Sequence, residues 1–195
     1  MTEHMFVWCR LNDTAWIDEF KLPKSLEPNF EKLWNRHPAN YDSLKLYGKS
    51  VEIPRWQQTF GRSYTFSRMQ HDPLPIPDEL KELFDWANES DYGPFNQMFI
   101  NWYQNGHHYI GPHHDDDKEL VDNSPIMSIS LGTNRKFRIR DSGKNIVRDI
   151  SMSNGTVLVM CGTFNKDFTH EVPKIAGKKG EQLGQRINIT FRRFK

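Results

Sequence analysis

Cysteine is nearly absent from this chain, with only Cys9 and Cys161, far apart in sequence. That excludes a disulfide framework and a thiolate zinc site, so any bound metal must be held by histidine and carboxylate groups. Long hydrophobic runs are missing too. Stretches such as residues 157–161 fall far short of the roughly 20 apolar residues of a membrane span, and the first residues, with Glu3 and Asp13, lack a signal peptide's basic start and apolar run. The expectation is a soluble, intracellular protein without a membrane partner, and no clear basic run decides between cytoplasm and nucleus. Neither charge sign dominates: 26 basic and 25 acidic residues leave a formal net charge of +1, no global signature of a polyanion binder. The charge is uneven, however. Lys45, Lys49, Arg55, Arg62 and Arg68 have few local acids, and Lys174, Lys178 and Lys179 crowd a later loop. Such a face could follow a phosphate backbone or simply be solvated surface.

What is present is aromatic. Hydrophobic residues make up 36% of the 195 positions but aromatic residues 13%, so bulky rings must fill the interior, and disorder is excluded. The length suits one domain, with a monomer as the default. No repeat or low-complexity segment is visible. The first third reads as helical or irregular, with residues 1–40 expected as a helical extension packed on a sheet. Within it Phe30, Leu33 and Trp34 form a stripe between Pro28 and Pro38. Pro77 opens a second helix with Leu80, Leu83, Phe84 and Ala87 on one face, closed by a turn at 91–94. From Phe95 the period changes to two. Met98, Ile100 and Trp102 alternate with Phe99, Asn101 and Tyr103, and residues 126–131, 136–140 and 156–160 read as short strands between turns. The expected fold class is α+β, with an antiparallel sandwich or jelly roll over residues 95–195.

His113 and Asp115 stand two apart, which places both side chains on one side of an extended segment, and His170 lies far downstream. Two imidazoles and a carboxylate from two strands would form the facial triad of non-haem Fe(II) oxygenases, with open positions for co-substrate and oxygen. With His107, His108 and His114 nearby, a polar loop or adventitious metal binding is the alternative. The segment 186–192 alternates strictly: Ile187, Ile189 and Phe191 on one face, Arg186, Asn188, Thr190 and Arg192 on the other. In a central strand the second face would point inward, where unpaired cations demand an anion, and two guanidinium groups suit a dicarboxylate such as 2-oxoglutarate. In an edge strand the same face would merely be solvated.

In combination these pieces resemble the AlkB group of Fe(II)- and 2-oxoglutarate-dependent dioxygenases, especially its DNA-repair branch. The resemblance runs from about Leu46 to Phe194. It rests on Asn101-Trp102-Tyr103, on Tyr109-Ile110-Gly111-Pro112-His113-His114-Asp115-Asp116-Asp117, on Ser124-Pro125-Ile126 with Ser128-Ile129-Ser130-Leu131-Gly132, on His170 before Val172-Pro173, and on the 186–192 strand. It implies a double-stranded β-helix in which His113, Asp115 and His170 hold iron. Asn101, Tyr103, Arg186, Thr190 and Arg192 would surround 2-oxoglutarate, with His170 also at its edge and Arg192 nearer the metal. The implied reaction consumes O2 and 2-oxoglutarate, releases succinate and CO2, and hydroxylates an N-alkyl group that then leaves as formaldehyde, restoring the base.

The segment Pro54-Arg55-Trp56-Gln57-Gln58-Thr59-Phe60-Gly61, followed by Tyr64-Thr65-Phe66-Ser67, resembles the nucleotide-recognition lid of that branch and delimits a lid over residues 41–70. A base must leave the stack to reach a buried site. Phe66 and His113 would sandwich the flipped base, with Tyr64 and Asp116 or Asp117 reading its edge and Arg55 in the lid. Tyr47, with Gly48 and Lys49 beside it, falls where duplex-repairing relatives carry an apolar wedge. Its hydroxyl makes it less apolar than phenylalanine, and Asp117 is shorter than the glutamate frequent in those relatives. The expected partner is alkylated DNA, duplex or single-stranded. The alternatives are the same chemistry on RNA or a protein side chain, and a non-catalytic jelly-roll module that binds nucleic acid.

Overall fold

The structure is a computed structural model that describes residues 6–46, 49–66, 69–71, 73–115 and 119–195, with only the backbone of 44–46, 64–66 and 69–71. Two antiparallel sheets face each other. The larger has seven strands in the order β1 (Val7–Arg10), β2 (Ala15–Lys21), β13 (Thr156–Gly162), β10 (Ile126–Gly132), β15 (Arg186–Arg192), β8 (Gln97–Tyr103) and β5 (Trp56–Phe60). The smaller runs β12 (Ile146–Met152), β11 (Arg135–Arg140), β14 (Thr169–Val172), β9 (Ile110–His113). Two hairpins stand beside them, β3 (Ser43–Leu46) with β4 (Lys49–Glu52) and β6 (Tyr64–Phe66) with β7 (Met69–His71). Four helices complete the chain: α1 (Phe30–Trp34), α2 (Asp78–Glu89), α3 (Phe164–Asp167) and α4 (Gly177–Glu181). This is the jelly-roll class.

Period-two alternation decides which residues enter which layer. Ile187, Ile189 and Phe191 of β15, with Ile100 and Trp102 of β8, meet Leu33 of α1 and Leu80 and Leu83 of α2 in a core on the helical side. The Trp102 indole N–H donates to Leu33 O at 3.0 Å, so the largest buried ring also has its polar atom satisfied. Phe99 and Met160 turn the other way, into a second core with Phe137 and Ile139 of the small sheet. Both helices start where the local chemistry favours it. Asn29 caps α1 by accepting from Lys32 N at 2.9 Å, and Pro77 precedes Asp78 and Glu79 in the first turn of α2, acids that suit the positive end of the helix dipole.

The strand at 186–192 is central, not an edge: β10 and β8 flank it, and all seven of its residues are buried. Two expectations need correction. Residues 1–40 contain α1, but they also supply β1 and β2 to the large sheet, where β2 pairs with β13 over Ala15–Gly162 to Lys21–Thr156. The alternation of 15–21 is interrupted by Asp18, an acid that the sheet nonetheless buries with the Tyr92 hydroxyl donating to it at 2.9 Å. The boundary between lid and core also shifts. Within 41–70, β5 is an integral strand paired with β8, so the jelly roll includes β2 and β5 as well as residues 95–195. Trp56 of β5 stacks with both His37 and Tyr41, at 4.0 and 4.8 Å between ring centroids, fastening the chain that leads into the first hairpin.

Because Leu80 fills the helical-side core and faces away from the space between the sheets, Leu80→Ala should cost about 3 kcal/mol of unfolding free energy in urea titrations. Divalent-metal affinity of the folded variant should stay at the wild-type value.

Candidate metal centre and co-substrate cavity

His113 ends β9 and His170 lies in β14, and the antiparallel pairing of these strands sets the two residues opposite each other. Their rings are 4.2 Å apart between centroids, and the Nε2 atoms of His113 and His170 lie 3.7 and 3.9 Å from Asp115 Oδ1. All three candidate ligand atoms fall within 4.8 Å of one another, the one such group among the described residues. The His113 Nδ1–H donates to Gly111 O at 2.9 Å, which fixes the tautomer and leaves the Nε2 lone pair for a metal. The His170 ring is oriented by packing instead, stacked on Phe137 at 5.2 Å, while its Nδ1 is buried without a partner.

The electrostatics suit a divalent ion. Burial pushes the His170 pKa down to about 3, helped by the neighbouring His113, and burial likewise holds His113 below the usual imidazole value despite Asp115. Burial would raise Asp115, but the Arg192 guanidinium outweighs it and keeps the carboxyl well below the ordinary range. Arg192 binds both carboxylate oxygens, Nε to Oδ2 at 2.8 Å and Nη2 to Oδ1 at 3.0 Å. Two neutral imidazoles and one ionised carboxylate form the donor set of a facial Fe(II) site. Asn165 of α3 holds the backbone of the carboxylate: its Oδ1 accepts from Asp115 N at 2.9 Å and its Nδ2 donates to Asp115 O at 3.1 Å.

A cavity opens from this cluster along the inner face of the large sheet, with Asn101, Tyr103, Asn188, Thr190 and Arg192 in its wall. The cross-strand register sets Ser130, Asn188, Asn101 and Gln57 in one polar row. Asn188 is the junction. Its Oδ1 accepts from Ser128 Oγ at 3.0 Å and Arg186 Nη2 at 2.9 Å, and its Nδ2 donates to Thr190 Oγ1 at 2.8 Å. Arg186 is fully buried behind this wall rather than in it, with Nε donating to Ser130 Oγ at 2.9 Å and Nη1 lacking a partner. Burial pushes its pKa down to about 10. A buried guanidinium with an unspent donor, beside a polar cavity, fits one carboxylate of a dicarboxylate co-substrate.

The structure thus brings His113, Asp115, His170, Asn101, Tyr103, Thr190, Arg192 and Arg55 to one cavity, with Arg186 adjoining it. Lys49 lies apart, exposed at the start of β4. Tyr64 and Phe66 fall on β6, backbone only, and Tyr47, Gly48, Asp116 and Asp117 lie outside the described residues. The sequence places Asn188 on the polar face of 186–192 without giving it a role, and it marks neither Gln57 nor Asn165 as a site residue. Gln57 depended on the β5–β8 pairing, and Asn165 carried no signal at all.

Together, fold and site define a jelly-roll protein with an internal two-histidine, one-carboxylate centre. The profile of the 2OG-Fe(II) oxygenase superfamily matches residues 24–192. The chain is 34% identical over 162 residues to DNA oxidative demethylase ALKBH2 of Homo sapiens, covering 77% of this chain and 60% of that protein. To alpha-ketoglutarate-dependent dioxygenase alkB homolog 3 of Mus musculus it is 28% identical over 195 residues, 93% of this chain and 62% of that protein. A solved structure, "The structure of OsALKBH1", superposes with a TM-score of 0.59 at 16% identity over 96% of this chain and 100% of that one, a likeness of fold. The chain therefore belongs to the 2OG-Fe(II) oxygenase superfamily, whose chemistry uses Fe(II), 2-oxoglutarate and O2. It spans less than two thirds of the length of these curated relatives.

Because burial keeps both imidazoles neutral, protons should compete little with metal. Mn(II) affinity, followed by titration, is expected to change less than about threefold between pH 7.5 and 6, where a solvated pair with pKa near 6.5 would lose about tenfold. Asn165→Ala should weaken Mn(II) binding roughly tenfold by freeing the Asp115 backbone.

Proposed function

We propose that the protein is an oxidative dealkylase of N-alkylated bases in DNA, of the N1-methyladenine and N3-methylcytosine type, releasing succinate, CO2 and formaldehyde. The observation that carries this reading is the cavity holding the His113, Asp115 and His170 cluster, with Arg192 at one end, the unspent donor of buried Arg186 beyond the other, and a surface groove beside it. The similarity to proteins named as DNA oxidative demethylases supports the choice of substrate class.

In this reading His113, Asp115 and His170 hold Fe(II), which with 2-oxoglutarate and O2 supplies the oxidising equivalent for an inert C–H bond. The remaining work belongs to the chain. Arg192 keeps Asp115 ionised and oriented, while Arg186, Asn188, Asn101, Tyr103 and Thr190 bind and align the dicarboxylate. The small-sheet side contributes Ile110, Phe137 and Val172, apolar surface that excludes water from the reacting centre. Arg55 joins cavity and groove, since it lines both and donates to Asn101 Oδ1 at 2.8 Å and to Gln57 Oε1 at 3.1 Å. The groove is flanked by Val51, Pro54, Tyr109 and Lys174, a mixture of ring, apolar and basic surface suited to an unstacked nucleotide and its phosphates. In the same reading Phe66 and His113 would sandwich the flipped base, with Tyr64 and Asp116 or Asp117 reading its edge and Tyr47, Gly48 and Lys49 at the gap left in the stack.

Anaerobically prepared protein supplied with Fe(II), 2-oxoglutarate and O2 should release formaldehyde and succinate when given an N1-methyladenine or N3-methylcytosine DNA oligonucleotide. His113→Ala should abolish both. Preferential turnover of the methylated RNA counterpart would reassign the substrate, and no turnover of any oligonucleotide would sink the dealkylase. If Tyr47 fills the vacated stack, Tyr47→Ala should lower turnover of methylated duplex several-fold more than that of single strands, whereas equal losses would remove its role as a wedge.

A further inference from the structure

Arg135, the first residue of β11, is only 2% exposed. Its guanidinium donates to three main-chain carbonyls: Nη1 to Asn105 O at 3.0 Å, and Nη2 to both His108 O and Pro173 O at 2.9 Å. It forms no ion pair among the described residues, and its Nε is buried without a partner. Carbonyl acceptors alone do not require a full charge, and burying one is costly unless an anion arrives. The same residue adjoins a residue of the cavity wall, Tyr103. Its Cζ lies 5.7 Å from the centroid of the Tyr103 ring, and that of Arg186 lies 5.1 Å from the same centroid. Two buried guanidinium groups, each with an unspent N–H, thus contact one cavity-wall tyrosine.

The carbonyls that Arg135 holds belong to two segments, the residues that follow Tyr103 and the β14–β15 connection. Residues 104–109 follow Tyr103, and they dock on the β14–β15 connection through Gly106 N to Gly180 O at 2.9 Å and Ile175 N to Gly106 O at 2.8 Å. The approach is close enough that a Cβ on Gly106 would meet Gly180 Cα at 2.7 Å. Arg135 is the side chain that bridges both segments to β11.

We propose that Arg135 is a positioning residue for the distal carboxylate of the keto-acid co-substrate, acting through Tyr103 and the 104–109 segment and adding its charge to that of Arg186. This inference rests on the 2-oxoglutarate reading above and extends it to a residue outside the cavity wall. The charge makes the Tyr103 end of the cavity selective for a second carboxylate, and the three carbonyl contacts fix the segment that follows Tyr103.

The test compares 2-oxoglutarate with 2-oxopentanoate, which has the same chain but a methyl group in place of the distal carboxylate. Binding to the metal-free protein is followed by tryptophan fluorescence or ligand-observed NMR, with thermal stability recorded without ligand. The wild type should prefer 2-oxoglutarate, Arg135→Met should lose roughly tenfold of that preference, and Arg135→Lys, which retains charge but not the fork, should lie between. A merely structural role would weaken both keto acids equally or lower stability while preserving the preference, and either result overturns the proposal. If Arg135→Met does not fold, Arg135→Lys decides by the same comparison. Failure of the wild type to prefer 2-oxoglutarate would instead overturn the dicarboxylate reading itself.

Discussion

The bidentate contact between Arg192 and Asp115 ties the end of the central strand β15 to the segment after β9, across the space between the two sheets. Asp115 is 2% exposed and Arg192 5%, so neither charge has water to fall back on, and each offsets the cost of burying the other. The pairing of β14 with β9 then delivers the two imidazoles to the same carboxylate oxygen. Metal-ligand geometry, carboxylate ionisation and the distance between the sheets are consequences of one arrangement.

The inner face of the large sheet is unusual for a protein interior in carrying a polar row, Ser130, Asn188, Asn101 and Gln57, with arginines on either side of it. The helical face of β8, β10 and β15 is apolar, with α1 and α2 sealing it. Stability and chemistry are thus divided between two faces of one sheet, and the polar face can tolerate unspent donors because the apolar face supplies the burial that holds the strands together. A cavity lined in this way is built to receive an anion, which agrees with the keto acid used by the superfamily.

Access is a separate matter from chemistry. Arg55, Ile110 and His113 line both the cavity and the surface groove, so the candidate metal centre lies at the junction between co-substrate and exterior. The stacking of Trp56 with His37 and Tyr41 anchors the hairpin side of that groove to a core strand.

By itself the sequence determined much of the arrangement. The alternation of 186–192 separated its apolar and polar faces correctly, because every second side chain of a strand must share an environment. The His113-x-Asp115 spacing and the amphipathic stripes of α1 and α2 are likewise local properties of the chain. Only the tertiary structure decided what depended on distant pairing. Residues 15–21 are a strand because β13 lies beside them, although Asp18 breaks their pattern. Gln57 joins the cavity because β5 pairs with β8. Asn165 and Arg135 acquire their roles from main-chain groups 50 residues away for Asn165 and 27 to 38 for Arg135, contacts that leave no periodic trace. Periodicity reports which way a side chain points, whereas a partner across the fold is set by how strands are brought together in space.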